Sequence, residues 1–255
     1  MTLQSAGENS PAVWGALLLE AAEFVWPVSR HAVDPGSAAH VVAQTVSVRV
    51  SRLLRACAVL SDSGYAVETA GLVRSIWEDA VSVAYMAASP DERCQQWIDF
   101  AETRRAHQIN WALARPGGLD AETLTMLKDA ATDATVSARP WWSGCTPSSM
   151  AAALTGSDDE FTALLARDFV SLYQTLSDDA HGSPFALEHL LVAHASAAFA
   201  DVGPDGVRND DLAGLALYGA WQLVHALSRL GEAVDEDPLR QLVGRAHTLI
   251  RGATP

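Results

Sequence analysis

Lysine is all but missing from this chain: Lys and Arg together number 17, and Lys128 is the only lysine among them. In so alanine-rich a sequence this reads as a bias of base composition rather than selection for guanidinium chemistry. Alternating β-branched runs are nearly absent as well, which argues against a sheet. Only Val41 to Val50 is valine-rich, and it sits inside a longer helical pattern. Cysteine is scarce, and Cys57, Cys94 and Cys145 are far apart and odd in number. Neither a disulfide framework nor a paired-cysteine zinc site is expected, and a reducing cytoplasm fits best. Positive charge is short too. The net charge of −14 repels nucleic acid and anionic membranes on average, so an RNA partner is disfavoured and would need a local basic patch. Long apolar runs are lacking: the stretch from Val13 to Trp26 is broken by Glu20 and Glu23, and no basic segment precedes it. That pattern argues against a signal peptide or a membrane span, and neither is expected. Glycine-rich phosphate loops are absent.

What remains is a chain of 255 residues, 49% hydrophobic and 19% charged, long and apolar enough to bury a sizeable core. Apolar spacing is helical almost throughout. The sequence predicts an all-α fold, a multi-helix bundle of about nine to ten helices with no sheet, forming one domain over residues 1–255. The first helix is expected from Pro11 to Ala32, with Ser10 as N-cap and Pro27 kinking or dividing it. Others follow over Ser37–Ser61, Tyr65–Ala88, and from Pro90 to Ala114, where Ser89-Pro90-Asp91-Glu92 gives cap, N1 proline and acidic first turn. Arg115-Pro116-Gly117-Gly118 stops that helix. Further helices are expected over Asp120–Ser137, Ser148–Leu154, Asp158–Ala180, Pro184–Phe199, Asp210–Ala233 and Pro238–Arg251. Between them, Ala138–Ser149 is a loop carrying Trp141 and Trp142. No internal repeat or low-complexity segment is present.

Three groups of residues carry candidate chemistry. Arg74 and Glu78 are four apart on one helix face, in a stripe with Val67, Ala70, Gly71, Val81 and Tyr85. A charge pair in such a stripe must be hydrogen-bonded to offset its desolvation, either as a structural pair or as a site. The segment Tyr173-Gln-Thr-Leu-Ser177-Asp178-Asp-Ala-His181-Gly-Ser-Pro184 ends a helical run in carboxylates and a histidine. Ser177, Asp178 and His181 share a broad face, which would set an imidazole beside a carboxylate as acid–base work requires. Two acids at the negative end of a helix need compensation. Arg49, Arg52 and Arg55 form a basic ribbon whose default is pairing with the chain's own acids. Asp178-Asp-Ala-His181 has the acid-x-x-His spacing of a di-metal bundle, yet no second such motif occurs, so no metal is expected.

On three blocks, Leu72-Val-Arg74-Ser-Ile-Trp-Glu78, Trp141-Trp142-Ser-Gly144 and Tyr173 to Pro184, the chain resembles the uncharacterised bacterial family called domain-of-unknown-function 5677. The resemblance covers about Val67 to Pro184, with the helices of residues 185–252 packed on that core. It implies a helical fold and a polar cluster of Arg74, Glu78, Tyr173, Ser177 and His181, and brings no established activity. A wider similarity is to HEPN ribonucleases, helical toxins and defence nucleases in which an Arg-x(4–6)-His motif cleaves RNA without metal. Here the chain departs: Ser177 and Thr175 stand four and six residues before His181, and Arg167 is 14 away, so Arg74 would have to supply the guanidinium.

The combined expectation is a cytoplasmic, homodimeric helical protein without membrane contact, metal or cofactor. Arg74 and Glu78 meet Tyr173, Ser177, Asp178 and His181 as the catalytic or binding groups, and Trp141 or Trp142 walls the site. Binding of an unknown small molecule or protein partner is the leading role. The alternatives are a HEPN-like ribonuclease and a biosynthetic small-molecule enzyme, with or without metal.

Overall fold

A computed structural model of the chain describes residues 11–26, 37–63, 65–113, 120, 122–123, 125–126, 142–180, 206–231 and 235–252. Among them are eight helices and no strand: α1 Pro11–Val25, α2 Ala38–Asp62, α3 Ala66–Ala87, α4 Pro90–Leu113, α5 Pro147–Leu154, α6 Glu160–Ala180, α7 Gly206–Arg229 and α8 Asp237–Gly252. This is fewer than the nine to ten expected. The spans expected over 120–137 and 184–199 fall largely or wholly outside the described residues, as does Ser10.

The helix starts follow local chemistry. Ser37 caps α2 by accepting the His40 amide at 3.3 Å, and Thr146 caps α5 by accepting that of Ser149 at 3.2 Å, with Pro147 in the first turn. These side chains satisfy amides that the helix itself cannot. Asp159 does the same for α6, its Oδ2 accepting the Thr162 amide at 2.9 Å. α1 runs to Val25, and the expected kink or division at Pro27 lies outside the described residues. Trp26 precedes Pro27, whose ring disfavours helical backbone in the residue before it.

α3 is the hub. It packs on α2, α4, α5, α6 and α7, and Ala70, Val73, Ile76, Trp77, Ala80, Val81, Val83, Ala84 and Met86 are all buried. A helix apolar on most of its faces belongs in the middle of a bundle. α7 packs closely on it, and its Ala213, Ala216, Gly219 and Ala220 are buried. A Cβ on Gly219 would come within 2.9 Å of the Trp77 indole nitrogen. That nitrogen donates to the Leu215 carbonyl at 3.0 Å, so the ring is pinned against α7. Trp14, Leu17 and Leu18 of α1 join the same continuous core. No described helix is long and apolar enough to cross a membrane.

Candidate functional site

Arg74 and Glu78 project from the middle of α3, and α6 brings Tyr173 and Ser177 against them. The Arg74 Nε donates to Glu78 Oε1 at 3.0 Å, its Nη2 to the Tyr173 hydroxyl at 2.9 Å and its Nη1 to Ser177 Oγ at 3.2 Å. Its guanidinium carbon also lies 4.8 Å from the centre of the Tyr173 ring. Residues four apart on each helix thus face each other across the α3–α6 contact. Arg74 and Glu78 are only 21% and 19% exposed, so the pair is partly desolvated and each nitrogen of the guanidinium is engaged. Asp178 belongs to α6, but its side chain lies outside the described residues, as do Trp141 and His181.

On the adjacent flank of α3 a cleft of about 250 Å³ opens between α2, α3 and α4. Trp97, Phe100 and Trp142 give it aromatic walls, Val46 and Met86 add apolar surface, and its polar groups include Thr45, Arg49, Glu78, Asp79 and Ser82. Glu78 therefore belongs to both places: held by Arg74 and lining the cleft. Trp142 comes from the loop before α5. It is buried edge-to-face on Tyr85, 6.0 Å between centroids, and Tyr85 in turn carries the Arg93 guanidinium 3.8 Å above its ring. Gly144, at φ 72°, supplies a left-handed turn two residues later that a side chain would strain.

Asp79 was not singled out by sequence reasoning. Its Oδ1 accepts from Arg49 Nη1 at 3.0 Å, while its Oδ2 is buried with no hydrogen-bond partner among the described residues. The residue is 8% exposed. Burial pushes its carboxyl up to about 7, with the Arg49 charge opposing and Glu78 reinforcing that rise. The readable signal was a lone acid on the stripe of Ile76, Val83 and Met86, three, four and seven residues away. Arg49 belongs to the basic ribbon, where pairing with acids also holds for Arg55, bonded to Glu23.

A second polar knot, also missed, ties three helix ends. His225 Nδ1 lies 3.1 Å from Glu236 and Nε2 lies 3.4 Å from Asp159. Arg229 Nη1 donates to Asp159 Oδ2 at 3.0 Å and to Thr162 Oγ1 at 2.7 Å, and Phe161 packs on the imidazole with centroids 4.5 Å apart. Desolvation would raise the Asp159 carboxyl, but the Thr162 hydrogen bonds and the charges of Arg229 and His225 outweigh it and hold it low. Ser228 donates to the His225 carbonyl at 2.7 Å and to Glu236 at 3.0 Å, so its hydroxyl is spent as a brace rather than poised as a nucleophile.

Cys57 and Cys94 offer little reactivity. Burial pushes the Cys57 thiol up to about 12 and, with Asp91 adding to the effect, that of Cys94 to about 11, where thiolate is scarce. Among the described residues no cluster of His, Cys, Asp and Glu could hold a metal ion.

Against known families, residues 40–198, more than half of the chain, match the model described as Family of unknown function (DUF5677). The chain belongs to this family. The match takes in α2 to α6 and therefore Arg49, Arg74, Glu78, Asp79, Tyr173 and Ser177 alike, a wider span than the three motif blocks. Neither a curated protein nor a solved structure shows significant similarity to it.

Proposed function

We propose that this DUF5677 protein binds a small organic molecule in the cleft between α2, α3 and α4. The supporting observation is Asp79, which lines the cleft and whose buried Oδ2 has no hydrogen-bond partner among the described residues. Buried polar groups are costly unless bonded, and a concave aromatic site with a few convergent polar groups is what ligand recognition needs. The cleft's 250 Å³ lies below the roughly 300–1,000 Å³ of drug-sized pockets, so the occupant is small.

In this reading Arg74, Tyr173 and Ser177 are positioning residues. Each guanidinium nitrogen already donates to a protein oxygen, which fits an arginine that fixes Glu78 better than one that stabilises a transferring phosphate. Glu78, Asp79, Arg49 and Trp142 are the groups that meet the ligand. The test is a thermal-shift screen of small cations, neutral molecules and anions against wild type and Ser82→Leu, which places a branched side chain in the cleft. Compounds that stabilise wild type and not Ser82→Leu support the reading. Equal stabilisation of both proteins, or none of wild type, refutes it.

A further inference from the structure

The charges around the cleft point to one class of ligand, on the reading that this cleft is a binding site. We propose that its ligand is a small aromatic carboxylate, whose anionic group meets the guanidinium nitrogens of Arg49 that Asp79 leaves unbonded and whose ring lies among Trp97, Phe100 and Trp142.

Each charge lining the cleft counts together with its partner. Glu78 is neutralised by Arg74, Nε to Oε1 at 3.0 Å, and that guanidinium is also held by Tyr173 and Ser177. The second pair is looser. Arg49 spends only Nη1 on Asp79, at 3.0 Å, and its side chain is 54% exposed. Among the described residues no other hydrogen bond engages this guanidinium, so Nε and Nη2 keep their donors, in the planar fork that suits a carboxylate. The buried Oδ2 of Asp79 takes no part in the contact, but a proton on that carboxyl removes the one charge that opposes an anion at Arg49. With both pairs ionised the cleft is neutral, and with Asp79 protonated it carries a single positive charge. It is never net negative, so a cation finds no uncompensated acid, and one charge suits a carboxylate better than a phosphate dianion. The chain's net charge of −14 is screened beyond about 8 Å at physiological ionic strength, which leaves the local pairs to decide. Ser82 adds a hydroxyl whose hydrogen is held only by Met150 Sδ, at 3.9 Å, a weak acceptor. The three rings favour an aromatic body, which gains from edge-to-face and offset contacts beyond the area it buries.

The same arrangement makes binding proton-linked. Asp79 feels Arg49 from α2 and Glu78 from its own helix, while α4 and the loop before α5 bring only the uncharged Trp97, Phe100, Ala101 and Trp142 to the cleft, and no residue of α5, α6 or α7 lines it. Burial pushes the Asp79 carboxyl up to about 7. Ionised Asp79 opposes an anion beside Arg49 and protonated Asp79 does not, so affinity is level below 7 and falls as pH rises through it, by at most about tenfold per unit.

Calorimetric titration at pH 6 and pH 8 decides the matter, using phenylacetate, 3-phenylpropionate and indole-3-acetate beside the corresponding alcohols and ammonium ions, with hexanoate as the aliphatic comparison. At pH 6 at least one aromatic carboxylate should bind wild type saturably at one site, at least about tenfold more tightly than its alcohol or ammonium counterpart, and Arg49→Gln should weaken it at least about tenfold while circular dichroism shows the fold retained. Wild type should lose at least about fivefold in affinity between pH 6 and pH 8. Asp79→Asn should lose none and should bind more tightly than wild type at pH 8, a gain that damage to the fold does not give. Alcohols or ammonium ions binding as well as the carboxylates, an undiminished affinity in Arg49→Gln, or a decline with pH that persists in Asp79→Asn overturns the carboxylate assignment and leaves the cleft reading standing. Hexanoate binding as tightly as the aromatic acids overturns the aromatic body. Absence of binding by all the compounds to wild type overturns both the assignment and the cleft reading.

Discussion

Replacing Asp79 with Asn should make the protein more stable at neutral pH, and the gain should vanish in acid. The unfolded chain releases the Asp79 proton near the ordinary 3.8, the folded chain near 7. Between those values the folded state holds a proton that the unfolded state lacks, so folding takes up a proton and stability falls as pH rises through the window. At about 1.4 kcal/mol per pH unit, the interval from 3.8 to about 7 comes to about 4 kcal/mol. Asn is nearly isosteric, keeps an oxygen for Arg49 and carries no charge to desolvate. The contact it weakens is modest, because Arg49 is half exposed and such pairs are worth about 0–1 kcal/mol. Urea denaturation followed by tryptophan fluorescence at half-unit steps from pH 4 to 8 gives the quantity needed. It is the stability difference between variant and wild type, in which the other acids cancel. The difference should be near zero at pH 4 and grow toward about 4 kcal/mol at pH 8. A difference that stays flat, or one in which wild type gains on the variant as pH rises, refutes the argument that burial dominates at Asp79.

Gly219→Ala should destabilise by about 1 kcal/mol in thermal denaturation, the steric penalty of overpacking against the pinned Trp77 indole exceeding the gain in helix propensity. In a Trp77→Phe background the smaller ring should reduce that penalty, leaving the 3.2 Å approach to Ile76 Cγ2 as what remains of it. Arg74→Ala should cost about 2 kcal/mol, less than the roughly 3–5 kcal/mol of breaking a fully buried pair because both partners keep some water. A double-mutant cycle with Tyr173→Phe should show about 1 kcal/mol of coupling, and a coupling of zero would deny the α3–α6 hydrogen bond. Asp159→Asn weakens a cap and two ion pairs at the start of α6, and should cost about 1–2 kcal/mol at pH 7 by urea denaturation. Because the native carboxyl is held low, that contribution is present above the ordinary carboxylate range and is lost as pH falls through the lower native value.

Helix boundaries were largely legible because their signals are local. Ser37 and the Ser89-Pro90 pair set the starts of two helices from neighbouring residues alone, and α5 begins at Pro147, one residue before the expected Ser148. The Arg74–Glu78 pair was readable for the same reason, since four residues on a helix fix a shared face. Its meeting with Tyr173 and Ser177, 99 and 103 residues away, does not follow from spacing and was suggested only by the family resemblance. Asp79 escaped because it adjoins Glu78, and one helical step of 100° separates a half-wet position from a dry one. Only the packing of α2 and α4 decides which is which. The His225 knot draws on α6, α7 and the residues before α8. No sequence pattern ties those ends together, because their contact is set by tertiary packing.

The position of α3 bears on what portion of the family can stand alone. The matched segment, residues 40–198, contains the cleft and the Arg74 cluster, yet α1 and α7 lie outside it. α7 covers Trp77 through Gly219 and the Leu215 carbonyl, and α1 packs on α2 with Trp14, Leu17 and Leu18 fully or almost fully buried. An excised 40–198 fragment would therefore bare the widest ring on α3 and a face of α2, and the helix that carries the ligand groups would lose the wall that holds it straight. The buried contacts of α2 and α3 thus reach beyond the segment that sequence comparison recognises, and a minimal version of the site would carry both flanking helices with it.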